Sequence, residues 1–129
     1  MMHDVSNQTV LAVDDSDDTR VWLKYQLELY GYTVIDATDG DEALALFSRH
    51  HPDLVVMDLQ MPRLDGLGAA ERMCRRCETT KVPIIAITAF DTVGLKEASL
   101  MAGCDEYLVK PLDAETLLRA VQRQLSYFV

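Results

Sequence analysis

The sequence predicts an α/β fold in which helices cover both faces of a doubly wound, parallel, five-stranded sheet. Short apolar runs, typical of strands buried on both faces, alternate along the chain with segments of helical periodicity. The connections between them are short, as in right-handed crossovers between parallel strands. Several apolar runs end in a carboxylate, a hydroxyl or a lysine, which places polar groups at the sheet edge where ligands bind in such folds.

Length and composition indicate one domain with one core. The chain has 129 residues, 49% of them hydrophobic and 26% charged, without a linker or a low-complexity tract. A formal net charge of −9 argues against direct binding to nucleic acid. We find no apolar run that could cross a membrane and no signal peptide. Three cysteines without a disulfide-framework pattern favour a cytoplasmic protein.

The first βα unit begins at Thr9–Val13, an apolar run that ends at Asp14-Asp15 and is predicted as a strand. Ser16 or Asp17 can cap the following helix, and Gly31 can end it in a left-handed conformation. Apolar residues at helical spacing predict an inner face that consists of Leu23, Leu27 and Tyr30.

The next two strands are predicted at Thr33–Ala37 and Leu54–Asp58. Between them, Asp39-Gly40 forms a turn, Glu42–Arg49 has helical periodicity, and His51-Pro52 ends the helix. The run that ends at Asp58 has four consecutive apolar residues, which is typical of a central strand.

The last five elements of the pattern alternate in the same way. A helix is predicted from about Gly66 to Arg76, a strand at Ile84–Thr88, a helix from about Val93 to Ala102 and a strand at Asp105–Val109. Asp113 can cap a final amphipathic helix. This order completes five strands and five helices.

Polar residues from four predicted strands converge on one sheet edge: Asp14, Asp15, Asp58, Thr88 and Lys110. Three carboxylates repel one another, so a counter-charge is needed, and Mg²⁺ prefers oxygen ligands of this kind. A carboxylate beside a metal ion, an ammonium group and a hydroxyl has the surroundings that phosphoryl transfer to an aspartate requires.

The chain resembles the receiver domains of two-component response regulators, of the chemotaxis-regulator type. The matching stretches are Val13-Asp14-Asp15-Ser16, Met57-Asp58-Leu59-Gln60-Met61-Pro62, Leu64-Asp65-Gly66, Ile87-Thr88-Ala89 and Lys110-Pro111. The resemblance covers about residues 9–126 and implies a flavodoxin-like fold with strand order 2-1-3-4-5. From the length of the chain we expect a single receiver domain over residues 1–129, without an effector domain.

The resemblance implies that Asp58 is the phosphoacceptor and that Mg²⁺ is the cofactor, with Mn²⁺ as an alternative ion. Asp15, Asp58 and the backbone carbonyl of Gln60 would bind the metal directly, and Asp14 would bind it through a water molecule. The phosphoryl donor would be a sensor histidine kinase or a histidine phosphotransfer protein.

The resemblance also assigns residues to signalling. Thr88 and Lys110 would contact the phosphoryl group, Tyr107 would be the switch aromatic, and the Lys110-Pro111 bond would be cis. The residues at the rim, which would tune hydrolysis, are Gln60, Ala89 and Phe90. The fourth helix, fifth strand and fifth helix would form the output face for an unknown downstream protein. The domain would be a switch capable of self-phosphorylation and autodephosphorylation, and not an enzyme with an external substrate.

Three alternatives stay open at this point. An aspartate-dependent phosphatase or phosphotransferase would need an acid two positions after its nucleophile, where this chain has Gln60. A flavin-binding module would meet repulsion between the flavin phosphate and Asp14-Asp15. A degenerate receiver, which signals by partner binding alone, would not need the intact set of site residues. The protein could be a stand-alone regulator or part of a longer one.

The Cys74 and Cys77 pair has CxxC spacing but lacks the second pair that a zinc site would need. We interpret these cysteines as exposed and incidental.

Overall fold

The structure, a computed structural model, describes residues 8–61, 65–76, 81–89 and 93–125. Within these ranges, strands and helices alternate: β1 (Thr9–Val13), α1 (Asp17–Leu29), β2 (Thr33–Ala37), α2 (Gly40–His50), β3 (Leu54–Asp58), α3 (Gly66–Arg76), β4 (Ile84–Thr88), α4 (Val93–Met101), β5 (Glu106–Val109) and α5 (Ala114–Leu125). The predicted bounds of β1 to β4 and of α3 are confirmed. None of the described helices has the length and hydrophobicity needed to cross a bilayer.

The five strands form one parallel sheet in the order β2-β1-β3-β4-β5, as the sequence predicted. The chain passes from β1 outward to β2 and then returns to β3 on the other side of β1. The strand order therefore reverses between β1 and β3, and in open α/β sheets a crevice forms at that point, outside the carboxyl ends of the strands. Asp14 and Asp58 lie at those two ends.

Alternate residues of the central strands pack into two cores, one on each face of the sheet. Leu11 and Val13 belong to the core that α2 and α3 cover, whereas Val10 and Ala12 belong to the core that α1 and α5 cover. All four side chains are fully buried. The double coverage explains why β3 and β4 are buried at every position and why their sequences are apolar up to the last residue of each strand.

Helix ends follow the local sequence closely. Side-chain oxygens of the capping residues accept hydrogen bonds from backbone N–H groups three residues later: Ser16 from Thr19, Asp39 from Glu42, and Asp113 from Thr116. At the other ends, Gly31 has a φ of 109° after α1, and His51 has a φ of 49° after α2. These left-handed residues stop both helices where the sequence indicated.

The predicted inner face of α1 is correct for two residues and wrong for the third. Leu23 and Leu27 are fully buried, but Tyr30 is 44% exposed. Tyr30 is the C-cap residue of α1, and its ring stacks on that of Tyr32. Helical periodicity no longer applies at that position, because the chain already turns toward Gly31.

Candidate functional site

The candidate site is formed where the strands end, and backbone hydrogen bonds extend the sheet into it. Asp14 N–H donates to the carbonyl of Ala37 at 3.2 Å, and Leu59 N–H donates to that of Ile87 at 3.0 Å. Lys110 N–H donates to the carbonyl of Thr88 at 2.8 Å. The segments that follow the strands are thus held in register, and their polar side chains meet at one edge.

Three carboxylates meet at this edge, as the sequence predicted. Each of Asp14, Asp15 and Asp58 places one oxygen within 4.8 Å of an oxygen of the others. Asp14 is fully buried and Asp58 is 6% exposed, whereas Asp15 is exposed. The cluster is therefore open to solvent on the side of Asp15 and closed on the side of Asp14.

Lys110 bridges the two buried carboxylates. Its Nζ lies 3.0 Å from Asp14 Oδ2 and 3.1 Å from Asp58 Oδ2. Burial by itself would favour the neutral amine, but hydrogen bonds to Asp14 and Asp58 outweigh it and raise the pKa of Lys110 above its ordinary value. Lys110 is therefore an ammonium group held between the two carboxylates. The Lys110-Pro111 peptide bond is cis, as expected.

Asp58 has a pKa above the ordinary value of an aspartate. Burial is the main cause, and the charge of Asp14 adds to it. The backbone N–H of Gln60, which donates to Asp58 Oδ1 at 2.9 Å, and the ammonium group of Lys110 act in the opposite direction. Asp58 is a carboxylate that the protein stabilises incompletely, so it gains from any further cation.

The donor set fits a small divalent cation. Three carboxylates and one ammonium group leave a formal charge of −2 at the site, and all the acidic donors are oxygen atoms. Mg²⁺ prefers oxygen ligands, and an exposed side leaves room for the water molecules that Mg²⁺ retains. Of the predicted direct ligands, Asp15 and Asp58 belong to this cluster.

Gly66, the first residue of α3, lies directly against the backbone of the phosphoacceptor candidate. Its N–H donates to the carbonyl of Leu59 at 3.1 Å. A Cβ atom at this position would lie 2.3 Å from the carbonyl oxygen of Asp58 and 2.6 Å from Cα of Leu59. Only glycine permits this close approach, which brings the N-terminus of α3 beside the end of β3.

The remaining predicted site residues differ in exposure. Thr88 is fully buried at the end of β4, and Tyr107 is half-buried against the core beneath α2 and α3. Gln60 and Ala89 are exposed at the rim. Phe90 lies outside the described residues.

Sequence reasoning missed Arg20. Its side chain is 12% exposed and contacts the segment between β1 and α1: Nη1 donates to the carbonyl oxygen of Asp14 at 3.0 Å. The same guanidinium group contacts Asp36 of β2 and Asp17 of α1. A charged residue in the first turns of an amphipathic helix is usually solvated. The only feature of the sequence that pointed to a contact of Arg20 with the site was its position one turn after the cap.

The interpretation of Cys74 as exposed is wrong. Its side chain is half-buried, packs against the core, and places Sγ 3.7 Å from the carbonyl oxygen of Gly103. Cys104 is buried, which raises its thiol pKa to about 12 and makes it unreactive. Cys77 lies outside the described residues.

Comparison with known proteins identifies the family. The sequence-family model of the response regulator receiver domain matches residues 10–122. The chain belongs to the response-regulator receiver family. Phosphorylation-dependent two-component signalling is the standard function of this family. Its members are phosphoacceptor switches that are generally not enzymes, that bind Mg²⁺ at an acidic pocket, and that interact with histidine kinases and downstream effectors.

Individual relatives support this assignment. The receiver domain is 40% identical over 125 residues to a probable transcriptional regulator ycf27 of Porphyridium aerugineum, a match that covers 95% of this chain and 51% of that protein. It is 43% identical over 118 residues to the response regulator MprA of Mycobacterium leprae, with coverage of 90% and 50%. The chain thus spans about half the length of the curated relatives it matches.

Solved structures show the same fold. The chemotaxis protein CheY4 of Vibrio cholerae superposes on the receiver domain with a TM-score of 0.87 at 34% identity, over 92% of this chain and 98% of that chain. The receiver domain of the Francisella response regulator 1452 gives a TM-score of 0.85 at 31% identity, over 95% and 100%. The predicted flavodoxin-like fold is confirmed.

Proposed function

We propose that this receiver domain accepts a phosphoryl group on Asp58, in a Mg²⁺-dependent transfer from the phosphohistidine of a sensor kinase or a histidine phosphotransfer protein. The main support is one observation: Asp58 is a buried carboxylate that contacts Lys110 and lies in the same oxygen cluster as Asp14 and Asp15. The surroundings of Asp58 thus combine a nucleophile, a fixed ammonium group and a cation-binding donor set.

In the proposed reaction, a carboxylate oxygen of Asp58 attacks the phosphorus atom. A new O–P bond forms, the N–P bond of the phosphohistidine breaks, and its electron pair remains on the departing imidazole, which takes up a proton. The product is an acyl phosphate on Asp58. Lys110, already within hydrogen-bonding distance of Asp58, neutralises part of the charge that the phosphoryl oxygens bring into the site.

The proposed metal ligands are the carboxylates of Asp15 and Asp58 and the backbone carbonyl of Gln60, with Asp14 acting through a water molecule. Mg²⁺, when bound, neutralises phosphoryl oxygens and the excess negative charge of the carboxylates. Mn²⁺ is the alternative ion. Two contacts keep the buried Asp14 oriented toward the site. Lys110 contacts one of its carboxylate oxygens, and the N–H of Ser16 donates to the other at 2.8 Å.

Phosphorylation would act on the rest of the domain through β4 and β5. Thr88 and Lys110 would both contact the new phosphoryl group. Thr88 ends β4 and Lys110 directly follows β5, and the N–H of Lys110 donates to the carbonyl of Thr88. Movement of Thr88 toward the phosphate would let Tyr107, which pairs with Ala86 of β4, change its position. The surface formed by α4, β5 and α5 would then present two states to a downstream protein. The exposed Gln60 and Ala89, together with Phe90, would tune hydrolysis.

We propose a single receiver domain over residues 1–129, which acts either alone or within a longer protein. A cytoplasmic location fits its three cysteines, which lack the spacing of a disulfide framework. Within this proposal the domain is a switch without an external substrate, for which self-phosphorylation and autodephosphorylation are possible additional reactions.

Intact-mass measurement after incubation with Mg²⁺ and acetyl phosphate tests the proposal. We expect one phosphoryl adduct on the wild type and none on Asp58→Asn. The matched control is Asp65→Asn, which removes a nearby exposed carboxylate but retains a side chain that can cap α3 by accepting from Gly68 N–H. An adduct on Asp58→Asn would contradict the assigned acceptor. Failure of the wild type both to form an adduct and to bind beryllofluoride with Mg²⁺ would contradict the site itself.

A further inference from the structure

Arg20 joins three segments at the edge of the candidate metal site. Its Nε donates to Asp36 Oδ2 at 3.1 Å at the end of β2, and its Nη2 contacts Asp17 in the first turn of α1. Its Nη1 donates to the backbone carbonyl of Asp14 at 3.0 Å. One guanidinium group therefore connects β2 and α1 to the peptide unit that follows β1.

The carbonyl that Arg20 binds belongs to the peptide bond between Asp14 and Asp15. On the other side of Asp15, the N–H of Ser16 donates to Asp14 Oδ1 at 2.8 Å, and the N–H of Arg20 donates to the carbonyl of Ser16 at 2.9 Å. Asp15 is exposed, so packing restrains its side chain little. The direction of its carboxylate depends on the backbone on both sides, and Arg20 fixes one of those sides.

The shape of the guanidinium group matters here as much as its charge. Three acceptors in different directions suit the planar fork of arginine, and lysine has a single nitrogen that cannot reach all three. The Arg20 side chain is 12% exposed and Asp36 is 35% exposed, so the group is held within the structure. Lys24 also approaches Asp36, at 3.9 Å, but from one helical turn further along α1.

We propose that Arg20 is a positioning residue for the metal site, which fixes the Asp14-Asp15 peptide so that Asp15 faces Asp58 at the separation a single cation requires. The inference rests on the Mg²⁺ site of the proposed function. Arg20 contacts neither the ion nor the phosphoryl group; it acts through the backbone of a ligand, and partners of this kind typically change metal affinity by about 10–100-fold when removed.

Charge and position predict opposite results for one substitution. Arg20→Met removes a cation near the carboxylates, so if Arg20 acted only through its charge, Mg²⁺ would bind more tightly to this variant. If Arg20 positions Asp15, Mg²⁺ binds more weakly. Arg20→Lys keeps the charge and loses the fork, so it weakens binding only if position matters.

The experiment is Mg²⁺ titration of the full chain by calorimetry, repeated by fluorescence of Trp22, the only tryptophan. Trp22 lines a cleft of about 550 Å³ together with Lys110, so it lies close enough to report on the site. We expect the Kd to rise about ten-fold in both Arg20→Lys and Arg20→Met. The matched control, Lys24→Met, removes the other cation near Asp36 and should retain the wild-type Kd. Urea unfolding in EDTA measures the free energy of unfolding of each variant without metal.

An unchanged Kd in Arg20→Lys, or tighter binding in Arg20→Met, would overturn the inference, even if unfolding showed a loss of stability. An equal rise of the Kd in Lys24→Met would overturn it too. Asp36→Asn leaves Arg20 in place but weakens its anchor, and a smaller rise is expected there; this variant replaces the Arg20 variants if they do not fold. No Mg²⁺ binding by the wild type would instead refute the metal site of the proposed function.

Discussion

At the scale of single residues, Asp58 combines burial with the proximity of a second buried carboxylate. Both effects raise its pKa, and the contacts from Gln60 and Lys110 compensate only in part. Such a group reduces the stability of the protein without metal while keeping a reactive oxygen available. Active sites often retain residues that destabilise the fold in this way.

Asp58→Asn should therefore stabilise the metal-free protein at neutral pH, by about 0.5–2 kcal/mol. Because the folded-state pKa of Asp58 is raised, folding favours the protonated form of this group. Its favourable contribution to the free energy of unfolding is therefore complete below the unfolded pKa and is lost as the pH rises through the folded pKa. The higher stability of Asp58→Asn relative to the wild type should thus disappear in acid, where Asp58 is protonated. Urea unfolding in EDTA over a range of pH measures it, and a less stable variant at neutral pH would contradict the assigned cause.

Glu106 should show the opposite behaviour. Hydrogen bonds from Arg123, whose Nε lies 3.0 Å from Glu106 Oε2, lower the pKa of Glu106. A hydrogen bond from Gln124 lowers it further. Its contribution is present at neutral pH and is lost as the pH falls through the lowered folded pKa. Glu106→Gln should destabilise the protein by less than about 1 kcal/mol, because Arg123 is largely exposed. Chemical denaturation at two pH values would check this; an effect that persists in acid would exclude the ion pair as its source.

At the scale of elements, the junction between β3 and α3 determines how the phosphoacceptor segment is held. The N-terminus of α3 approaches so closely that the backbone of Asp58 and Leu59 leaves no room for a side chain at Gly66. The contacting atoms belong to the backbone of a central strand, and they cannot move aside as the end of a flexible side chain can.

Gly66→Ala should destabilise the fold by about 1–3 kcal/mol and displace α3 from the site. Gly94→Ala is the matched control, because a Cβ atom there meets nothing within 4 Å and alanine favours the helix by about 1 kcal/mol. Thermal unfolding of both variants, together with acetyl phosphate reaction rates, makes the test. If the two alanines had the same effect, the close approach at Gly66 would have no energetic importance.

At the scale of the whole molecule, the site joins strands that are remote in sequence. Folding brings Asp58 beside Asp14 and Asp15, so the repulsion between Asp58 and the other two carboxylates arises only in the folded state. A cation that binds the folded state alone should therefore stabilise the entire domain by mass action.

Mg²⁺ at ten times its Kd should add about 1.4 kcal/mol to the free energy of unfolding, and the melting temperature should rise accordingly. Asp15→Asn should remove most of this increase, since it eliminates the exposed ligand and leaves the buried pair intact. Calorimetric scans with Mg²⁺ and with EDTA provide the measurement. A melting temperature that Mg²⁺ does not change would count against the metal site.

The sequence by itself determined the elements, the class of fold and the identity of the acidic residues. The bounds of β1 to β4 follow from local hydrophobic runs, and the helix ends follow from local signals such as Asp39 and Gly31, so both are encoded within a few residues. The convergence of Asp14, Asp58 and Lys110 could be predicted because parallel strands end at a common edge. Which residues are metal ligands, acceptor and switch stays a prediction.

Only the tertiary structure decided how these residues are arranged. The pairing of Val13 with Met57 brings Asp14 beside Asp58, and packing then buries Asp14 while leaving Asp15 exposed, although the two are consecutive in sequence. The same packing encloses Arg20 between segments that local patterns treat independently. The physical reason is that burial, pKa and the distance between remote atoms depend on how elements pack together, whereas a sequence pattern reports the preferences of each element alone.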